Sequence, residues 1–161
     1  MVLMGVAGCG KSAVGAALEA AAGIPYLDGD DLHPPENIAK MSAGAPLTDA
    51  DRWPWLALVG EALQEPPRAV GCSALKRIYR DRIKESARGP VTFIHLSGSR
   101  EVIEARMGAR EGHFMPVSLL DSQFAALEPP AGDEDAVTVD IDQPVEAIVG
   151  AIVDALDLRG G

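Results

Sequence analysis

Gly5-Val6-Ala7-Gly8-Cys9-Gly10-Lys11-Ser12 follows the apolar run Val2-Leu3-Met4 and precedes Ala13-Val14-Gly15-Ala16-Ala17-Leu18-Glu19-Ala20. The apolar run reads as a strand and the alanine-rich stretch as a helix beginning near Gly10. Together they set the pattern G-x-x-x-x-G-K-[ST] in the strand–loop–helix context it requires. Glycines let the backbone curl until successive N–H groups face phosphate oxygens. The helix adds its positive N-terminal end. Residues 5–13 are therefore read as a nucleoside triphosphate site. Lys11 is placed to reach the β- and γ-phosphates, and the Ser12 hydroxyl to ligate Mg²⁺.

The 161-residue chain is long enough for one domain with a real core, and its 47 % hydrophobic content excludes a disordered protein. A formal net charge of −10 and the lack of a dense basic cluster argue against a nucleic-acid face. An acidic protein that binds anions must gather its cations locally, so each basic residue carries information. The two cysteines, Cys9 and Cys72, lack disulfide or zinc spacing and read as free thiols of a reducing compartment. The apolar start is too short for a signal peptide and no run approaches membrane-spanning length, so a soluble, cytoplasmic protein is expected.

Beyond the first helix, Ile24–Leu27 is a short strand ending in the acidic turn Asp28-Gly29-Asp30-Asp31. In an open α/β sheet ligands sit at the carboxyl ends of strands. That position makes Asp28 and Asp30 candidates for metal-bound water and for a substrate hydroxyl, while Asp31 reads as a cap. Helices are expected over Glu36–Met41 and from Thr48, where Thr48 and Asp51 approach a capping box, to about Gln64. Of Trp53 and Trp55, one is expected to pack the core and the other to line a pocket, without an assignment between them.

Ala69–Ser73 reads as a buried strand and Ile78–Ala87 as a helix behind Lys76 and Arg77. Lys76 and Arg80, four apart, share a face and suggest an anion site. Arg82 and Lys84 read as a solvated face. Val91–Leu96 is the most β-like segment and leads to a helix over Glu101–Ala109. Arg106 and Arg110, beside the glycine-flanked loop at His113, suit a lid over triphosphate at roughly 106–120; a plain basic helix end is the alternative. A helix over Ser118–Leu127, a last strand Ala136–Asp140 and a helix Val145–Leu156 complete the chain, with Asp140–Pro144 a candidate wall for the nucleotide base. The alternation predicts one α/β domain over residues 1–161, a parallel sheet with helices on both faces.

Several strings resemble the P-loop gluconokinases: the glycine loop, Leu27–Pro34, Leu47–Arg52, Cys72–Lys76 with Tyr79-Arg80-Asp81, Gly112-His113-Phe114, Ser122-Gln123-Phe124 and Val139–Pro144. The resemblance implies ATP-dependent phosphorylation of D-gluconate at its 6-hydroxyl. It also implies a three-layer P-loop kinase fold like the shikimate and adenylate kinases, a five-stranded sheet in the order 2-3-1-4-5, a mobile lid and a homodimer. By the same resemblance Asp30 binds or activates the acceptor hydroxyl and Asp28 holds water on Mg²⁺. Arg52, Lys76 and Arg80 meet the sugar acid, and His33, Lys40, Trp55 and His113 border it. Arg106 and Arg110 neutralise the transferring phosphate, while Gln143 and Pro144 flank adenine. The stretch from Arg52 to Cys72 is a few residues short for the family, which predicts an abbreviated third strand or preceding helix. The rival readings are another small-metabolite kinase of this fold and a nucleotide-binding regulatory module.

Overall fold

Short apolar strands are stable only when both faces are covered, and the three central ones, Val2–Met4, Ala69–Gly71 and Phe93–Ser97, are buried along nearly their whole length. The computed structural model describes residues 1–6, 8–45, 47–65, 68–108 and 117–160. Five strands, β1 (Val2–Met4), β2 (Tyr26–Asp28), β3 (Ala69–Gly71), β4 (Phe93–Ser97) and β5 (Ala136–Asp140), form one sheet in the order β2-β3-β1-β4-β5. Every pairing is parallel, with Val2 opposite Val70 and Phe93, Leu27 opposite Val70, and Ile94 opposite Val137. The expected order is the observed one. Because all strands run the same way, the loops after β1, β2, β3 and β5 leave the sheet at one edge.

The period-two alternation of strands divides the core. Leu3, Ile94, Leu96 and Val139 face α1 (Lys11–Ala22), α5 (Arg100–Gly108), α6 (Val117–Ala126) and α7 (Val145–Gly160), meeting Val14, Leu18, Ile103, Leu120, Ile148 and Ile152. Val2, Met4, Val70 and Phe93 face the opposite way, toward Leu56 and Val59 of α3 (Asp49–Ala62) and Tyr79 and Ile83 of α4 (Arg77–Ala87). A short helix, α2 (Pro35–Ser42), connects β2 to α3.

Local chemistry accounts for α3. Thr48 accepts from the Asp51 backbone N–H at 3.1 Å and Asp51 accepts from the Thr48 N–H at 2.8 Å, a complete capping box. The helix continues through Pro54, which lies on its exposed side. Gly60 is required by close approach: a Cβ there would stand 2.6 Å from the Ile83 carbonyl oxygen and 2.9 Å from the Ala87 nitrogen of α4. β3 has 3 residues, as do β1 and β2, and α3 has 14.

Candidate active site

The chain leaves β1 into a loop whose Gly5, Gly8 and Gly10 take φ of 147°, 83° and 96°, conformations that side chains disfavour. α1 starts at Lys11 with no side-chain cap at Gly10, so its first-turn N–H groups remain available to an anion. Lys11 Nζ donates to the carbonyls of Gly5 at 3.1 Å and Val6 at 3.3 Å and lies 3.8 Å from Cys9 Sγ. Neutral carbonyls hold an ammonium less strongly than phosphate oxygens do, so the lysine can exchange one for the other.

Against this loop lies a cavity of about 150 Å³ lined by Gly8, Gly10, Lys11, Ser12, Tyr26, Asp28 and Asp30. Asp28 Oδ1 accepts from the Asp30 N–H at 2.9 Å and fixes the 3₁₀ turn Gly29–Leu32 that follows β2. Asp30 sits in the mouth of the cavity. Its outer surface meets solvent, yet the walls thin the water around the carboxyl, and that desolvation, with Asp28 beside it, raises its pKa above the usual carboxylate value. Tyr26 hydrogen-bonds the Ser12 side chain, and burial raises its phenol pKa. Tyr26 escaped the sequence reading, although Tyr26 and Asp28 are two apart on a strand and so share a face. Ala13 lies in the first turn of α1.

Trp55 joins the acidic turn to α3. Its indole Nε1 donates to the Gly29 carbonyl at 2.8 Å, and its ring stacks on His33 with centroids 4.1 Å apart and planes 14° from parallel. Asn37 Nδ2 donates to the Asp51 carbonyl at 2.9 Å and lies 3.2 Å from His33 Nδ1. Because that amide nitrogen only donates, Nδ1 accepts and the imidazole proton sits on Nε2. Burial lowers the His33 pKa, Asp30 opposes that shift and Arg52 adds to it. His33 thus lies electrostatically between the acid and the cations. The tryptophan question is settled: Trp55 is buried beside the site, whereas Trp53 is exposed with Arg82 5.5 Å from its ring centre. Trp53 and Arg82 help line a larger cavity, about 760 Å³, on the outer side of α3, away from the phosphate loop.

Beyond His33, Arg52 and Lys76 each lie 5.6 Å from the centre of the Tyr79 ring. Arg52 Nη1 donates to the Tyr79 hydroxyl at 3.3 Å. The hydroxyl in turn donates to Asp49 Oδ1, which also lies 3.6 Å from Lys76 Nζ and 3.9 Å from Arg52 Nη1. Tyr79 and these cations hold the Asp49 carboxyl below its usual pKa. Asp49 was not singled out in the sequence, though its i,i+3 relation to Arg52 was available. Lys40 is engaged by Asp51 Oδ2 at 2.5 Å, and hydrogen bonds from Lys40 and Thr48 hold the Asp51 pKa down at about 2.

Arg80 requires a correction. The spacing to Lys76 suggested an anion site and the family resemblance placed Arg80 at the sugar acid, but its side chain is 1 % exposed and its five N–H donors are all taken. Nε and Nη2 meet the two oxygens of Glu134 at 2.7 and 3.2 Å, Nη1 meets the carbonyls of Ala74 and Leu75, and Nη2 meets that of Glu128. Arg80 is a strut under the loop carrying Lys76. It holds Ala74 in a left-handed conformation, φ 45°, that a non-glycine residue adopts only at a cost.

On the other side of the glycine loop, Arg106 donates through Nη2 to the carbonyls of Ile141 and of Gln143, the latter at 3.1 Å. Its Nη1 stands 4.0 Å from the point a Gly10 Cβ would occupy. Arg106 therefore bridges the phosphate loop and the segment before Pro144, where Gln143 Nε2 donates to the Asp140 carbonyl at 2.7 Å. Ala7, Arg110, His113 and most of the expected lid lie outside the described residues.

No family model matches the chain. Among curated proteins, the thermoresistant gluconokinase of Escherichia coli K12 is 44 % identical, covering 96 % of this chain and 91 % of its own length. A crystal structure of a gluconokinase from Sinorhizobium meliloti 1021 superimposes with a TM-score of 0.85 at 50 % identity, covering 99 % of this chain and 96 % of that one. The shikimate kinase of Aquifex aeolicus shares the fold, with a TM-score of 0.66 at 16 % identity over 99 % of this chain and 96 % of its own. A nucleotide loop faced by an acidic turn and a cationic floor, on a chain alike from end to end to these enzymes, identifies the protein as a member of the gluconokinase family.

Proposed function

We propose that the protein transfers the γ-phosphoryl group of ATP to the 6-hydroxyl of D-gluconate, yielding 6-phospho-D-gluconate and ADP and feeding the pentose phosphate pathway. The observation that carries this reading is the continuity from Lys11 and Asp30, which line one cavity, through His33 to Arg52 and Lys76. Gluconate is a polyol with a carboxylate at one end and the reacting hydroxyl at the other. A cationic floor at a distance from the phosphate loop suits the first, and an acid at the mouth of that loop suits the second.

Phosphoryl transfer demands positioning and charge neutralisation more than covalent participation by the protein. Backbone N–H groups of residues 5–13 cradle the polyphosphate, and Lys11 leaves the Gly5 and Val6 carbonyls for phosphate oxygens. Arg52 and Lys76 grip the sugar acid's carboxylate, with His33 and Trp55 bordering the chain of hydroxyls. Asp30, its pKa raised, accepts a hydrogen bond from the 6-hydroxyl and takes its proton as the oxygen attacks phosphorus. Arg106 and Arg110 oppose charge on the transferring group, Gln143 and Pro144 flank adenine, and His113 and Lys40 lie at the acceptor's rim.

Mg²⁺ fits the donor set, since a hydroxyl and a carboxylate on one cavity wall leave room for the waters and phosphate oxygens this ion keeps. Ser12 would hold it directly and Asp28 through water, and when bound it offsets charge between the β- and γ-phosphates. A single domain over 1–161, with a lid at about 106–120, a homodimeric state and a cytoplasmic location belong to the same reading. Among the described residues no helix is long and apolar enough to cross a membrane.

A coupled ADP-release assay across gluconate, shikimate, other sugar acids and nucleosides tests the proposal. Gluconate-dependent release well above every other acceptor is expected. A strong preference for another acceptor, or ATP binding without acceptor-dependent release, would overturn it.

A further inference from the structure

The donors that meet on Asp49 are those a ligand carboxylate would demand. Two cations and a phenolic hydroxyl converge on a single oxygen, Oδ1, yet the carboxylate belongs to the chain itself. The cap of α3 does not require Asp49, because Thr48 and Asp51 already complete it. Its side chain is 51 % exposed, whereas those of Arg52 and Lys76 are 33 % exposed. The acid can therefore swing toward water at little desolvation cost. The cations are held more firmly, Arg52 on the capped first turns of α3 and Lys76 on the loop braced by Arg80.

Charge makes such a residue necessary. Arg52 and Lys76 lie equally close to the Tyr79 ring and both near Asp49 Oδ1, and two like charges gathered at one place repel unless an anion stands among them. Asp49 brings this cluster from +2 to +1, and an arriving monocarboxylate that takes its place leaves the count unchanged.

We propose that Asp49 is the resident counter-ion of the acceptor's carboxylate site, displaced when the sugar acid binds. Acceptor binding is then an exchange of one carboxylate for another. Asp49 sets acceptor affinity and selectivity by competing for Arg52 and Lys76, and it is a positioning residue that takes no part in phosphoryl transfer. An adventitious anion gains little from that exchange, because it must evict an internal partner of equal charge. A sugar acid gains the additional contacts of its hydroxyl chain. The identity of the acceptor rests on the function proposed above, but the exchange itself does not.

The test compares wild type with Asp49→Asn, which keeps the shape and removes the charge. Competition between partly exposed charges of this kind is worth roughly a three- to fivefold change in affinity. KM for gluconate is expected to fall by that factor while KM for ATP stays put. If Asp49 served only to hold Arg52 and Lys76 in place, KM for gluconate would rise, and a rise or an unchanged value overturns the proposal. Acetate, the bare carboxylate, is a probe independent of gluconate. Its binding, followed by NMR of the Tyr79 ring, is expected to tighten in Asp49→Asn and to weaken when Lys76→Met is added. Tightened acetate with no gluconate-dependent turnover in wild type would defeat the assigned function and uphold the counter-ion. Turnover of gluconate with acetate binding unaffected by the substitution would do the reverse.

Discussion

Arg80 offers the sharpest separation between a binding residue and a structural one. Replacing it with methionine strands the Glu134 carboxylate, 2 % exposed, without its cation and strips donors from the carbonyls of Ala74, Leu75 and Glu128. Breaking a buried pair from one side costs about 3–5 kcal/mol. In a domain of this size that corresponds to a fall in Tm of roughly 6–20 °C. Adding Glu134→Leu removes the stranded charge but not the orphaned carbonyls, which cost about 1–3 kcal/mol each when left unpaired. The double variant should therefore recover only part of the loss. The pH dependence follows from Glu134, whose carboxyl the Arg80 hydrogen bonds hold below the ordinary value of 4.5. The ion pair's contribution is complete above that value and disappears as pH falls through the lowered one, so the stability gap between wild type and Arg80→Met should narrow in acid to the part owed to the three carbonyls, without closing. Calorimetry against pH reads the stability, and initial rates on gluconate, taken well below Tm, read the site. A Tm within 2 °C of wild type (under about 1 kcal/mol) with a large rise in KM for gluconate would refute the reasoning and return the guanidinium to the substrate.

Three further substitutions test the account. Lys11→Ala should lower kcat by at least about 10²–10³-fold, the scale of losing one preorganised donor to developing charge, and ADP-release rates check this. Asp30→Asn should lower kcat by roughly 10²–10⁴-fold with ATP affinity retained; equal loss of ATP binding would make Asp30 a metal or structural residue. Because the folded state raises the Asp30 pKa above 3.8, the ionised form opposes folding once pH exceeds the raised value. Asp30→Asn should accordingly raise Tm at pH 7, and melting curves should show that gain vanish below pH 3.8. Gly60→Ala gains up to about 1 kcal/mol of helix propensity but drives a methyl into the α4 backbone, an overpacking cost of about 1–3 kcal/mol, so denaturant unfolding should show net destabilisation.

What could be read beforehand was whatever short-range pattern encodes. The glycine loop fixes its own geometry through spacing, the Thr48–Asp51 box is a contact between residues three apart, and the central strands β1 and β3 advertise themselves as short apolar runs. Arg80 was misplaced for the converse reason. Its partner Glu134 lies 54 residues away and nothing near either residue signals the pair, so helical spacing to Lys76 and the family resemblance decided the reading. Trp53 and Trp55 could not be told apart because α3 presents its two sides to different surroundings, and only packing against β1 and α4 decides which is inward. Asp49 was hidden by its own neighbourhood: in the run Thr48-Asp49-Ala50-Asp51-Arg52 the capping role of Asp51 accounts for an acid there, while the ring of Tyr79 that gathers Asp49, Arg52 and Lys76 arrives from another helix.

A crystal structure with D-gluconate and a non-hydrolysable ATP analogue bound together tests the central claim most directly. The account predicts the γ-phosphate against Lys11 and the residue 5–13 backbone, the 6-hydroxyl beside Asp30, and the carboxylate on Arg52 and Lys76. A sugar acid lying reversed, with its carboxylate toward Asp30, or a polyphosphate seated away from Lys11, would contradict it.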